Sequence, residues 1–406
     1  MATYTYTAHT RDGKKQKGTL TAETRQAVNQ MLQSRGLTPE TVQEASRAAK
    51  GGALKARLGR KVKTVEVLVV TRQLSTIISS GLPLLQGLDI LSEQTDDPNF
   101  AAIIGTIAQD VEAGESFSSA LSKYPRVFSD LYVSMVRAGE AGGDLDGVLL
   151  QLADYLEATE ELKRRIKSAM TYPVVAFSMI LLIAAGLIIW VVPQFAEIFS
   201  SFGRQLPAPT RLLIATSEAL RSWKALVFAG GLVAFIIAVR IYARTPIGRY
   251  YLDAVKLRLP VFGMLLRKVA VSRFARTLST LTRSGVAILQ ALEIVERTAG
   301  NEVFARAISQ AGDSVRSGET LAEPLERCGQ FPRMVTRMIA VGEKTGALEG
   351  MLMKISDFYD SEVKAAVDSM TSLIEPVLIM MMGLVVGSIV VALFMPILQL
   401  SSLVQT

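Results

Sequence analysis

The sequence predicts an all-α membrane protein: two duplicated helical bundles of about six helices each, three transmembrane helices, and a small N-terminal β-hairpin-plus-helix appendage. Three observations predict it: two long windows without charge, a self-similarity that runs over most of the chain, and a helical spacing of apolar residues inside each copy. Half of the 406 residues are hydrophobic although 20% are charged, and the mean hydropathy is +0.32. That combination means polar domains joined to very apolar segments.

The windows come first. Residues 174–192 lie between Pro173 and Pro193, residues 377–395 lie between Pro376 and Pro396, and neither stretch holds a charged residue. At 1.5 Å of rise per residue each covers about 28 Å, the hydrocarbon thickness of a bilayer. The prolines read as brackets around the two spans. A third span is expected over 225–243, where an apolar run meets Arg240 and has Trp223 and Tyr242 at its ends. Interfacial aromatics and a snorkelling arginine fit a span, and a buried core helix is the competing reading.

Residues 1–17 contain no apolar signal-peptide core, so the first 170 or so residues are expected to stay untranslocated. Three spans then put 193–224 outside, 264–373 inside and the tail 396–406 outside. Lys163, Arg164, Arg165 and Lys167 before the first span agree, as do Arg240, Arg244 and Arg249 after the second. Arg204, Arg211, Arg221 and Lys224 in the outer loop weaken the asymmetry. The remaining boundaries are 1–45 for the appendage, 46–63 for a basic linker and 64–172 for the first bundle.

The duplication is direct. Arg72, Leu74, Ser75, Gly81, Gln86 and Leu88 recur as Arg276, Leu278, Ser279, Gly285, Gln290 and Leu292, an offset of 204. After Gly114-Glu115 and Gly318-Glu319 one residue is lost. Phe128, Met135, Gly139-Glu140 and Gly143 then recur as Phe331, Met338, Gly342-Glu343 and Gly346, and all four bracketing prolines correspond. Leu145, Val148, Leu149, Leu152, Tyr155 and Leu156 follow helical spacing, as do Leu348, Met351, Leu352, Ile355, Phe358 and Tyr359. Glycines and prolines cut each copy into about six helices, so 61–167 and 264–370 are expected to superimpose. In the appendage, Tyr4-Thr5-Tyr6-Thr7 alternates, Asp12-Gly13 signals a turn, and Gly18 to Thr21 returns; a helix over 25–34 follows.

Few residues offer chemistry. The net charge of +7 falls largely near membrane boundaries and in 47–63, which suits anionic lipid rather than nucleic acid. Cys328 is the one cysteine and His9 the one histidine, which excludes an intramolecular disulfide, a histidine metal cluster and a Ser-His-Asp triad. Gly342-Glu343-Lys344-Thr345 imitates a phosphate loop but lacks its glycine spacing, and its counterpart at Gly139 has no lysine. No catalytic, cofactor or metal residue is assigned. Glu140, Asp144 and Asp146 cluster without the spacing of a calcium loop. Glu140 and Glu343 sit at equivalent joints beside glycines that leave the backbone accessible, so each either caps a local helix or presents a charge to a partner. Gly383 and Gly387 form a GxxxG pair suited to helix packing. The spans lack ionisable residues, which disfavours a transporter or channel; a membrane-tethered adaptor stays possible. Phe195, Ile198, Phe199 and Phe202 describe an amphipathic helix, after which Thr210 is placed to cap the next one.

Over nearly its whole length, from Tyr4 through Leu400, the chain resembles the inner-membrane platform proteins of type IV pili and type II secretion systems. Gly81-Leu82-Pro83-Leu84, Gly114-Glu115-Ser116, Ala138-Gly139-Glu140 and Met170-Thr171-Tyr172-Pro173 carry the resemblance, together with Gly318-Glu319-Thr320, Gly342-Glu343 and Glu375-Pro376. Val192-Pro193-Gln194-Phe195 and the run from Phe202 to Pro207 look more like the pilus branch; a secretion platform is the alternative. The resemblance implies a scaffold that hydrolyses nothing and needs no cofactor. It implies a bacterial inner-membrane site with cytoplasmic N-terminus and periplasmic C-terminus. The implied partners are a hexameric assembly or retraction ATPase, pilin subunits, other inner-membrane assembly proteins, lipid, and further copies in a homo-oligomer.

Overall fold

The computed structural model describes residues 2–9, 15–22, 38–44, 62–195, 208–260 and 262–404. The chain forms two compact units, Met1–Ser129 and Asp130–Thr406. The expected helix over 25–34, the Asp12-Gly13 turn, nearly all of the linker and the positions Ile198, Phe199 and Phe202 lie outside the described residues.

The first unit opens with a three-stranded antiparallel sheet: β1 (Ala2–His9), β2 (Lys15–Ala22) and β3 (Thr38–Glu44), in the order β2-β1-β3. The expected hairpin is β1 with β2, in register Tyr4 opposite Leu20. The third strand is not among the sequence expectations, and it carries Pro39. Pro is tolerated on an edge, and the β1–β3 register shifts where Ala8 meets Pro39. Four helices follow: α1 (Thr64–Ser79), α2 (Leu84–Gln94), α3 (Pro98–Glu112) and α4 (Phe117–Ser122). Asp97 starts α3 by accepting the N–H groups of Asn99 and Phe100, with Pro98 at the first position, where no donor is needed. Leu74, Leu91, Phe100, Ile104, Ile107 and Leu121 are buried, each worth about 1.5–3 kcal/mol by removal from water.

The second unit begins with α5 (Asp130–Gly142) and α6 (Leu145–Gly186), which continues through a π turn at Leu187–Val191 as far as Phe195. Then come α7 (Ala208–Arg221), α8 (Trp223–Tyr242) and α9 (Pro246–Arg258). The repeat follows as α10 (Phe262–Arg283), α11 (Ile288–Thr298), α12 (Glu302–Arg316), α13 (Ala322–Arg327), α14 (Arg333–Thr345) and α15 (Leu348–Val404). In helix order α10–α15 repeats α1–α6. The middle four of each set have identical lengths of 11, 15, 6 and 13 residues. Asn301 caps α12 as Asp97 caps α3. Phe304 and Phe331 meet edge to face with ring centres 5.2 Å apart, and their counterparts Phe100 and Phe128 lie 6.4 Å apart.

The prolines read as brackets do not end helices. α6 passes through Pro173, and α15 runs unbroken through Pro376 and Pro396. The sixth helix of each copy is therefore one piece with the membrane span that follows it. A helical proline leaves the carbonyl four residues earlier without its donor, which is costly where no water can replace it. For Pro396 that carbonyl belongs to Ala392, and the Thr210 hydroxyl donates to it at 2.6 Å. Thr210 is thus not a cap. It lies in the first turn of α7, 2% exposed, tying α7 to α15. Ahead of Pro193 the first copy uses a π turn instead, with the Val192 N–H on the Leu187 carbonyl.

Among the described residues two helices, α6 to Phe195 and α15, are long and apolar enough to cross a membrane. A third span arises if α8 is counted with α9, which turns from it by 108°. Within the membrane region Ala184, Val192, Ile389 and Leu393 are buried together, with Leu213 and Ile214 of α7 against them. Leu182, Trp190 and Met380, each over 70% exposed, turn outward as lipid-facing residues do.

Replacing Thr210 with Val removes the donor while keeping the shape, leaving the Ala392 carbonyl unpaired. We expect Thr210→Val to cost about 1–3 kcal/mol and Thr210→Ser to cost much less. Thermal unfolding of the detergent-solubilised chain checks this; equal midpoints for all three proteins would show that the bond contributes nothing.

Candidate functional site: the glycine–glutamate joints and the seam between repeats

Each joint turns the chain from the fifth helix of a copy into the long sixth one. Gly143 (φ +72°) and Gly346 (φ +71°) make the turn in the left-handed region, where a side chain is strained. Gly139 and Gly342 have a different reason to be glycine. A Cβ on Gly342 would lie 2.9 Å from the Leu348 Cα, and one on Gly139 would lie 3.0 Å from the Val148 Cβ. Both glycines are buried. They let the fifth and sixth helices cross closely, so the joint does not present accessible backbone at these positions as the sequence suggested. In the first joint Asp144 caps α6 by accepting the Gly147 N–H at 3.2 Å.

The two glutamates face inward along the chain. Glu343 accepts the N–H groups of Leu321 at 2.5 Å and Ala322 at 3.1 Å, covering the start of α13 with negative charge. Those are the donors a short helix leaves unpaired, and the charge opposes the helix dipole favourably. Glu140 is half-buried on α5 and is engaged in an interaction of its own within the chain. Asp146 is exposed in the first turn of α6. Among the described residues no three His, Cys, Asp or Glu side chains converge. Cys328 follows α13, its half-buried thiol donating to the Leu325 carbonyl at 3.0 Å. Gly383 and Gly387 meet no neighbouring atom: a Cβ at either would have nothing within 4 Å.

Polar contacts missed by sequence reasoning hold the second unit together. Asp360 on α15 receives Arg276 and Ser272 from α10, and Glu362 receives Lys268 at 2.7 Å. Beneath them Leu265, Val363, Val367 and Met370 are buried, with Leu162 and Ile166 of α6 packed on top. Burial, and then the Glu362 charge, raise the Tyr359 phenol above its ordinary pKa. Next to this layer a cavity of about 750 Å³ opens between α6 and α15, lined by both charge signs, among them Arg165, Glu161, Lys364 and Asp368. The Arg165 hydrogen bond draws the Glu161 carboxyl below its usual range.

Three further contacts join first-repeat helices to second-repeat helices: Asp130 with Arg297 at 2.9 Å, the Tyr155 hydroxyl with Thr277 at 3.3 Å, and Ser284 donating to Gln151 at 3.2 Å. The Asp130 hydrogen bond and charge lift the Arg297 pKa still higher. None of these pairs shows in the repeat, because in each pair at least one partner has a different residue at its equivalent position.

Comparison with known proteins covers the same regions. The family model for type II secretion system (T2SS), protein F matches twice, over residues 70–193 and 274–396, one match per repeat. The model for the type II secretion system protein F N-terminal domain matches residues 1–43. The chain is 42% identical over 404 residues to the type IV pilus assembly protein PilC of Myxococcus xanthus, covering 100% of this chain and 96% of that one. It is 43% identical to the protein of that name from Thermus thermophilus, with 98% of each covered. It is 35% identical to the type II secretion system protein F of Pseudomonas aeruginosa, with 100% of each covered.

Glu343 satisfies two backbone donors, so its removal should act on stability. Glu343→Ala is expected to cost about 1–3 kcal/mol, and Glu343→Gln, which keeps one acceptor, less. Unfolding midpoints of the full chain decide the matter: an unchanged midpoint with lost partner binding would assign Glu343 to an interface instead.

Proposed function

Since this chain belongs to the type II secretion system protein F family, we propose that it is the inner-membrane platform of a type IV pilus assembly machine. In this reading it couples a cytoplasmic hexameric ATPase to the insertion or removal of pilin subunits, and it self-associates. The observation that carries it is structural and sits on a family match: in both copies a cytoplasmic bundle is one continuous helix with a membrane span. Work done on the bundle therefore reaches the bilayer without a flexible joint. The chain acts as a scaffold and hydrolyses nothing. Glu140 and Gly383 with Gly387 remain candidates for contacts with other components of the machine.

The pilus branch is favoured because pilus-assembly relatives reach 42–43% identity, whereas the secretion relatives stand at 35–36%. We further propose three spans, the third being α8, with the N-terminus in the cytoplasm and the C-terminus in the periplasm. Both repeats enter the membrane in the same direction, which places their bundles on one side. A second crossing between them is what that requires.

Cells lacking this chain are expected to keep pilin in the membrane but to show no surface pili, with pili restored by the full chain and the ATPase recovered with it from solubilised membranes. In the same strain, single cysteines in a Cys328→Ser background test the crossings: an impermeant thiol reagent applied from outside should reach position 399 and not position 333. Normal pili with failed protein secretion would assign the chain to a secretion machine. Labelling at 333 would overturn the topology.

A further inference from the structure

The contact that joins the two repeats is left open at both ends. Inside the chain α6 of the first repeat covers a stripe of α10 that includes Val269, Thr277 and Ser284, and Thr277 is fully buried beneath Tyr155. The equivalent stripe on α1 is Val65, Gln73 and Ser80, with Val69 between, and every one of these is exposed, Val65 at 50% and Val69 at 48%. Four residues spaced along one helix face, two of them large and apolar, lack the cover that their second-repeat counterparts have.

The complementary face is partly open on the second repeat. Leu131, Met135 and Val148 of the first repeat are buried, whereas Met334, the equivalent of Leu131, is 40% exposed. Met338 and Met351, the equivalents of Met135 and Val148, line with Met334 and Val341 a shallow concavity of about 540 Å³. Phe358, the equivalent of Tyr155, is 47% exposed. A methionine-rich concavity adapts readily to a partner's side chains.

Charge decides the partner. The ion pair that closes the intrachain contact, Asp130 with Arg297, has as its equivalents Arg333 and Glu93: both signs are reversed, so the pair is complementary again. Asp89 lies one turn before Glu93 on α2, and Arg337 one turn after Arg333 on α14; all four are exposed, and none of them makes an ion pair among the described residues. We infer that the α14–α15 face of one copy docks on the α1–α2 face of a second copy, repeating between chains the packing that joins the two repeats within one. Arg333 and Arg337 meet Glu93 and Asp89, and Phe358 and the methionines cover Val65 and Val69. Such a contact is head-to-tail, so each added copy offers the same two faces again, and rotation of successive copies closes it into a ring or extends it.

This interface specifies the self-association proposed above and holds whichever machine the chain serves. Two differently tagged full-length chains, both Cys328→Ser, are co-expressed, one carrying Arg333→Cys and the other Glu93→Cys, and membranes are mildly oxidised. A disulfide dimer bearing both tags is expected, and pairing Asp313→Cys with Glu93→Cys should give none. In the uncrosslinked chain, Arg333→Glu or Glu93→Arg alone should raise the dissociation constant for self-association about tenfold, and the two together in one chain should restore it to within about threefold. A mixed-tag dimer missing while the chain still self-associates would overturn this face and leave self-association standing. A monomeric parent chain would overturn both. Single reversals that change only ATPase recovery would give the face to the ATPase instead.

Discussion

Everything else in the molecule depends on two helices that do not stop at the membrane surface. The stretch Leu145–Phe195 is 51 residues of continuous helix, which at the α-helical rise is about 75 Å. Half of that length belongs to a polar bundle and half to an apolar span, and α15 repeats the arrangement. Continuity is a constraint because each helix carries two prolines, and each proline orphans a carbonyl. At the second proline of each helix the fold meets it locally: a π turn before Pro193, and the Thr210 hydroxyl on the carbonyl that Pro396 releases. The second solution also fixes α7, and with it the chain's return path, against the last span.

Much of this was legible in the residues because the chain states it twice. A turn glycine, a cap and a core phenylalanine each have a strict local cause, so Gly143 and Gly346, Asp97 and Asn301, and Phe100 and Phe304 recur at fixed offsets. What could not be read were features whose causes lie far along the chain. Pro173 and Pro376 look like helix ends by every local rule, yet both lie inside continuous helices. Thr210 carries a good capping signal, yet its partner is 182 residues away. Glu343 reads as a local cap or a charge for a partner, but not as the acceptor for a helix that precedes it in sequence, whose start its two bonds close. β3 was not read at all, and its Pro39 sits at an edge position that tolerates it.

The copies have also parted, and the differences matter more for function than the matches. Asp144 caps the first long helix, and the second copy has Ala347 there. The second bundle ties Asp360 to Arg276 and Ser272 across the root of its span, while the first offers α6 as a cover for α10. Under the proposed function, such asymmetry gives each bundle a separate task in a platform that accepts force on one side and delivers it on the other. Duplication supplies two equal levers; divergence makes one of them able to lean on the other.

The central claim is that force passes through an unbroken helix from bundle to span. It is tested most directly by inserting four glycines after Ser372, between the bundle part of α15 and Pro376, and counting surface pili. The account predicts a chain that reaches the membrane in parental amounts, still recovers the ATPase, and builds no filament. Parental numbers of pili on cells carrying that insertion would contradict it.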